Sequence, residues 1–301
     1  MSSREGAPFR CGTVVIVGRP NVGKSTLLNG LIGQKVSITS RKPQTTRHRI
    51  AGILTKPGVQ YVFVDTPGFQ IRHGGALNRV LNQTVRQALD TVDVVLLVIE
   101  AKRMTEEDQA LLRRLPSAVP VLLVVNKVDR YPRPGELLPF LERVAQLFPF
   151  AEVVPVSAAK GRNLRELLGT VARYLPEQPA MFDADALTDR SERFVAAELL
   201  REKLFRLLGD ELPYGCAVTI DRFEEDGGLR RIHATVIVDK ANHKAIVIGK
   251  DGEKLKAIAS AARRDMERLF GGKVFLEVWV KTRRGWTEDA TAVRQLGFGH
   301  G

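Results

Sequence analysis

The stretch Thr13-Val14-Val15-Ile16-Val17-Gly18-Arg19-Pro20-Asn21-Val22-Gly23-Lys24-Ser25-Thr26 decides the fold. Five β-branched residues read as a buried strand, Gly18 to Gly23 as a loop, and the apolar pattern from Lys24 to Ile32 as a helix. The loop fits G-x-x-x-x-G-K-[ST] and lies in the strand-to-helix context that pattern requires. Its glycines let successive N–H groups and the helix N-terminus point at α- and β-phosphates. Gly18, Arg19, Pro20, Asn21, Val22 and Gly23 form the cradle, Lys24 bridges β and γ, Ser25 offers its hydroxyl to Mg²⁺, and Thr26 offers its N–H to the α-phosphate.

Outward from this loop, apolar β-branched runs alternate with helical patterns, which predicts a mostly parallel sheet with helices on both faces. The strands expected after Thr13–Val17 are Gln60–Val64, Val94–Ile99, Val121–Val125 and Glu152–Val156. The helices are expected at Lys24–Ile32, Leu77–Thr91, Thr105–Arg114, Gly135–Phe148 and Asn163–Tyr174. Three of these strands end in polar segments. Asp65-Thr66-Pro67-Gly68 puts an acid near the Mg²⁺ and a glycine N–H where a γ-phosphate can be sensed. Asn126-Lys127-Val128-Asp129 suits guanine: Asp129 accepts from N1–H and the 2-amino group, Asn126 meets the O6/N7 edge, and the Lys127 stem covers the ring. Adenine lacks both donors, and a buried acceptor left unpaired discriminates by up to about 10⁴ to 10⁵. Ser157-Ala158-Ala159-Lys160 offers the Ala158 N–H to O6. A P-loop kinase is the rival reading, but it leaves Asn126 to Asp129 without a task.

The four segments, in this order at strand ends, resemble the TRAFAC-class GTPases over about the first 175 residues. The resemblance implies a threonine in Gln44-Thr45-Thr46-Arg47-His48-Arg49 that closes on Mg²⁺ and the γ-phosphate, Thr46 with Thr45 as the alternative. Ras-like members carry a glutamine directly after the Asp-x-x-Gly segment. Here that position is Phe69, which cannot orient water by hydrogen bonding, and Gln70 comes one residue later. The resemblance is therefore to the branch with a hydrophobic residue there, in which the loop asparagine, here Asn21, is associated with K⁺. It implies slow intrinsic hydrolysis stimulated by K⁺, with Lys24, Thr46, Gly68 and Asn21 as the catalytic set and Ser25, Thr46 and Asp65 around the metal.

Pro176–Asp189 has no convincing period and several acids, and reads as a linker, residues 176–190. Beyond it, Ser191 is expected to cap a helix through Leu208, and strands Ala217–Phe223 and Leu229–Val238 flank an Asp226-Gly227-Gly228 turn. Helices Ala241–Ile248 and Glu253–Phe270 enclose Gly249-Lys250-Asp251-Gly252, and a strand Val274–Lys281 follows. Trp279 alternates with strand residues and is expected in the core, and Trp286 in tail packing. The α-β-β-α-α-β order with a Gly-x-x-Gly loop resembles an α+β KH domain of bacterial (type II) topology. Such a loop lets a nucleic-acid backbone approach while a groove reads about four single-stranded bases. His243, Lys244, Ile248, Gly249, Lys250, Gly252, Lys254 and Lys256 are the expected RNA contacts, and Asp251 opposes phosphate unless it faces away. A protein or membrane adaptor is the rival for this module.

The division is 1–175 nucleotide domain, 176–190 linker, 191–284 KH domain and 285–301 tail. At 301 residues the chain exceeds the roughly 150 of one ordinary domain. Its net charge of +12 favours polyanion partners. Residues 240–284 carry 12 basic against 5 acidic side chains, after an acidic stretch, so the charge there is local. No run approaches the roughly 20 apolar residues of a membrane span, and the N-terminus lacks the apolar core of a secretory signal. Two cysteines, Cys11 and Cys216, cannot form a disulfide framework, which leads to a reducing, cytoplasmic setting.

The two modules in this order resemble the Era family of GTPases across nearly the whole chain. That resemblance, not composition or spacing, implies a GTP-hydrolysing switch that binds the 3′ region of 16S rRNA. It also implies a role in 16S rRNA maturation and small (30S) ribosomal subunit assembly, and peripheral contact with the inner membrane face. A monomer is expected.

Overall fold

The computed structural model describes residues 8–40, 42–70, 76–131, 133–209 and 212–298. They fall into two compact units that are not contiguous in sequence. The first holds the chain up to Ser37, the segment from Arg49, and Asn82–Asp189; the second holds Ile38–His48, the segment ending at Leu81, and the chain from Arg190.

The first unit contains β1 (Arg10–Val17), α1 (Lys24–Ile32), β2 (Ile50–Lys56) and β3 (Val59–Asp65), then α2 (Ala76–Asp90), whose first turns belong to the second unit. It continues with β4 (Val94–Glu100), α3 (Glu106–Leu112), β5 (Val121–Asn126), α4 (Leu138–Ala145), β6 (Glu152–Pro155) and α5 (Leu164–Ala172). The six strands run in the order β2-β3-β1-β4-β5-β6, parallel except for β2. Alternation sorts the side chains to two cores. Val14, Ile16, Leu96 and Val98 face Leu27, Leu28, Leu167 and Val171 of α1 and α5. Val15, Val17, Val95 and Leu97 face Val85, Leu111, Phe140 and Val144 of α2, α3 and α4. Every residue of β4 is buried, as expected of a central strand covered on both faces. Burying one such Val or Leu contributes roughly 1.5–3 kcal/mol.

In this unit the strand β2 is the element missing from the sequence reading. Ile50-Ala51-Gly52-Ile53 has no alternation because it is buried on both sides, with Leu28 and Ile32 of α1 so close that a Cβ at Gly52 would lie 2.8 Å from Leu28 Cδ1. The segment read as a linker is strapped to this unit. Gln178 N–H donates to Phe9 O at 3.1 Å and Ile53 N–H to Leu187 O at 2.9 Å, and the Gln60 amide meets Met181 and Phe182 backbone.

The second unit contains α6 (Glu192–Leu207), β7 (Cys216–Asp226), β8 (Leu229–Val238), α7 (Ala241–Ile248), α8 (Glu253–Phe270), β9 (Lys273–Thr282) and α9 (Ala290–Gln295). Ser191 caps α6 by accepting from Phe194 N–H. The β7–β8 hairpin turns on Gly227 and Gly228, at φ 55° and 80°, the mirror-image turn that a twisted hairpin needs. β9 joins β8 in parallel, and α6, α7 and α8 cover one face through Leu200, Leu204, Val247, Ile258 and Met266. Trp286 is wholly buried, in a smaller cluster with Ala217, Val293 and Phe298. Trp279 is the correction: it is 56% exposed. Val274 and Val280 set the inward register of β9, so an odd-numbered residue must face the other way.

Candidate functional site

Parallel strands bring the phosphate loop, Asp65–Gly68, Asn126–Asp129 and Ser157–Ala159 to one edge of the first sheet. The loop is tightly nested. A Cβ at Gly18 would meet Val98 O at 2.4 Å, and Gly23, at φ 102°, has Asn126 Nδ2 where a Cβ would stand. Asn21 holds a left-handed φ of 64°, a conformation asparagine tolerates better than most side chains. Lys24 is buried and donates to Gly18 O and Arg19 O, both at 3.0 Å. Burial lowers its pKa to about 8, with the Asp65 charge opposing.

Asp65 is wholly buried and gathers two hydroxyls: Ser25 Oγ at 2.6 Å and Ser37 Oγ at 2.9 Å. Asn29 of α1 latches Ser37 by accepting its N–H at 2.9 Å and donating to its carbonyl at 2.7 Å. These hard oxygen donors suit Mg²⁺, which prefers one or two protein oxygens alongside phosphates. Thr66 donates its hydroxyl to Ile16 O at 2.8 Å, fixing the segment to β1. A Cβ on Gly68 would lie 2.7 Å from Pro20 Cγ, so no other residue passes this close to the phosphate loop. Phe69 donates its N–H to Gly18 O at 3.1 Å, and its buried ring carries the Arg114 guanidinium 4.8 Å above it. Gln70 exchanges backbone hydrogen bonds with the Asn82 amide.

Asn126 is a hub. Its Nδ2 donates to Val22 O at 2.8 Å, and its Oδ1 accepts from Lys127 N–H at 2.8 Å and Ala158 N–H at 3.0 Å. The side chain expected at the O6/N7 edge of a base thus joins the phosphate loop to the last strand-end loop. The exposed Asp129 accepts from Ser157 Oγ at 2.5 Å. Lys127 has φ 67° and pairs with Glu100 at 3.0 Å. Glu100 and Asp108, partners of Arg19 as well, were missed by the sequence reading. Thr105-x-x-Asp108 was legible as a capping box; an acid ending a buried strand gave no signal.

Thr45 and Thr46 lie in the second unit, both buried. Thr45 donates to Lys42 O at 2.7 Å, and its carbonyl accepts from Arg201, which pairs with Glu198 at 2.6 Å. Arg47 is fully buried, donates to Cys216 O and Tyr214 O at 2.9 Å each, and lies between the Phe205 and Phe298 rings. His48 stacks on Phe298 and sits 4.0 Å from Glu198. Burial pushes its pKa down to about 4, with Glu198 resisting.

At the other candidate loop, Gly249 has φ 74°, and a Cβ there would lie 2.6 Å from Lys254 Cβ. Asp251 and Gly252 are also left-handed, at φ 51° and 79°. Lys244, Lys250, Lys254 and Lys256 are exposed, as is Asp251, while Ile248 is half-buried. His243 is turned inward: its Nδ1 is buried, toward Gly215.

Residues 13–127 match the family described as 50S ribosome-binding GTPase, and residues 211–287 match the KH domain family. The GTPase Era of Nitrosomonas eutropha is 56% identical over 290 residues, 96% of this chain and 98% of that one. The GTPase Era of Chromobacterium violaceum is 56% identical, over 97% of this chain and 98% of its own. Two solved structures each superpose with a TM-score of 0.94 at 38% identity, covering 97% of this chain and 100% of theirs. One is an Aquifex aeolicus Era variant bound to GDP and AlF4⁻, the other Era with MgGDPNP and nucleotides 1506–1542 of 16S ribosomal RNA.

Proposed function

The chain belongs to the Era family of GTPases and hydrolyses GTP, and we propose that it works as a switch whose nucleotide state sets how its KH module holds the 3′ region of 16S rRNA. The observation that carries this reading is the convergence of four polar loops on one sheet edge, with Lys24, Asp65 and Asn126 all buried and each bonded to the phosphate loop or to the helix it opens.

Residues Gly18 to Thr26 wrap the phosphates, and Lys24 leaves its two loop carbonyls to meet the β- and γ-oxygens. Ser25 and Asp65 would hold Mg²⁺ directly or through water, and the ion would supply charge neutralisation at the β- and γ-phosphates; Thr46 is the proposed switch threonine. Asp65 accepts a hydrogen bond from the Ser25 hydroxyl and keeps that hydroxyl aimed. Thr66 and Pro67 carry the chain to Gly68, whose N–H meets the γ-phosphate. Asp129 takes N1–H and the 2-amino group of guanine, Lys127 covers the ring, and Ser157, Ala158 and Ala159 close the O6 side. Phe69 offers no hydrogen bond to water, so Asn21 would help hold a K⁺ ion, which would supply charge stabilisation in place of that hydrogen bond. Hydrolysis at equal rates in Na⁺ and K⁺ would overturn that part.

RNA is taken by the Gly249–Gly252 loop, with Lys244, Lys250, Lys254 and Lys256 on the phosphates and Ile248 against a base; His243, expected among the contacts, is set back against Gly215. Gating is favoured by the segment that carries Thr46: it folds with the KH module in one compact unit, so whatever reorders it reaches that module. The reading extends to small-subunit assembly, to a cytoplasmic monomer, and to peripheral membrane contact. Calorimetry with Mg²⁺ tests the base, with GDP expected to bind and ADP not. RNA affinity measured with GDP and with a non-hydrolysable GTP analogue tests the gate; equal values would refute it. Sedimentation with anionic vesicles tests the membrane contact, and sedimentation velocity the monomer.

A further inference from the structure

Three cations converge on one carboxylate at the end of β4. Parallel pairing sets Glu100 beside Asn126, the residue before Lys127. Glu100 Oε2 takes Lys127 Nζ at 3.0 Å and Arg19 Nη2 at 3.3 Å, while Oε1 takes Arg130 Nη1. Arg19 directs its Nε to Asp108 Oδ2 at 3.1 Å. Asp108 is wholly buried and is held by the N–H and hydroxyl of Thr105, both at 3.0 Å, at the start of α3. Burial alone would raise the Glu100 carboxyl, yet Lys127, Arg130 and Arg19 hold it below the usual carboxylate value. Burial likewise lowers the Lys127 ammonium, and Glu100 is what opposes that.

The two outer partners matter because of where they sit. Arg19 is the first variable residue of the phosphate loop, and Lys127 is the residue read as covering the base. We propose that Glu100 is a positioning residue for nucleotide binding: it clamps the Lys127 head so that the stem lies flat against the base, and through Arg19 it ties that wall to the phosphate cradle. Glu100 itself touches no nucleotide. The proposal rests on the guanine reading of Lys127 and Asp129 given above, and adds that the grips on base and phosphates are set together by one acid.

Charge and position predict opposite results when Glu100 is neutralised. Glu100 and Asp108 face Arg19, Lys127 and Arg130, so glutamine at this position leaves three cations against one anion. If net charge decided, a more positive site would hold a nucleotide longer. If position decides, Lys127 and Arg130 repel each other, the stem leaves the base, and release is faster.

The experiment follows release of fluorescent GDP and IDP from the full chain, with single-turnover hydrolysis at saturating GTP. Glu100→Gln is expected to release both about tenfold faster, as removal of one partner of a buried pair acts mainly on dissociation. The GDP-to-IDP ratio should hold, since Asp129 is untouched, and saturated hydrolysis should stay within about twofold. Glu100→Asp, too short to reach both Arg19 and Lys127, should fall between. Adding Arg19→Met to Glu100→Gln should cost less than the two single changes summed. Unchanged or slower release would overturn the proposal, as would a lowered melting temperature with normal release or a loss confined to saturated hydrolysis. Equal release of GDP and ADP by the unsubstituted chain would instead overturn the guanine reading, and the clamp with it.

Discussion

The phosphate loop and the Gly249–Gly252 loop, the two loops proposed above to meet anions, both carry paired glycines, yet they are built in opposite ways. Around the first, the working side chains are buried and already bonded: Lys24 to two carbonyls, Asp65 to two hydroxyls, Asn126 to three backbone groups. Around the second, the lysines stand in solvent. The first arrangement fixes geometry before the ligand arrives and makes each residue hard to replace. On the RNA reading proposed above, the second would work by summed charge, so each lysine should be nearly interchangeable and salt should weaken the whole.

This contrast can be broken most directly at its hub. Asn126→Ala should strand Val22 O and two N–H groups, costing roughly 3 kcal/mol of stability and lowering GDP affinity on the order of a hundredfold. Urea unfolding and calorimetry would measure the two. An effect under fivefold on affinity would mean that the loops hold their shape without this amide.

The strained glycine of the second loop comes next. Gly249→Asp places a Cβ against Lys254 at a left-handed φ and adds a negative charge facing RNA. RNA affinity should fall roughly 10- to 100-fold by filter binding, with GDP affinity unchanged.

Acid sharpens the comparison inside the second unit. The His48 pKa of about 4 lies below its ordinary 6.5, so the folded state binds its proton less readily than the unfolded chain. The stability this group contributes is complete above pH 6.5 and is lost as pH falls from 6.5 through 4, on the order of 3 kcal/mol in all. His48→Asn should flatten that part of the pH-stability curve measured by urea titration. Lys24 sets a similar test at the phosphate loop. Its pKa of about 8 in the free site should rise when phosphate arrives, so GDP binding above pH 8 should take up protons. Calorimetry in two buffers of different ionisation enthalpy would detect it.

The smallest effect is expected from a single exposed lysine. Lys256→Ala should weaken RNA binding only a few-fold for every sequence and reduce the slope of log affinity against log salt by about 1.

Much of this was legible in local sequence. Strand, loop and helix follow one another at Thr13–Ile32 with their periods intact, and the hairpin at Asp226–Leu229 is written in two glycines. The four strand-end segments could be placed because each ends an apolar run. Trp279 was misplaced because alternation shows that two faces differ without showing which is covered. β2 was missed because a strand buried on both sides has no alternation to read.

The sequence by itself determined most of the elements, the order of the two modules and the identity of the loops, because these depend on neighbours a few residues apart. Only the tertiary structure decided that Glu100 gathers Arg19, Lys127 and Arg130, that residues 176–189 form a strap, and that the Thr46 segment is packed beside Arg201. Those contacts join distant parts of the chain, and strand order and helix packing, which no local period encodes, are what bring them within bonding distance.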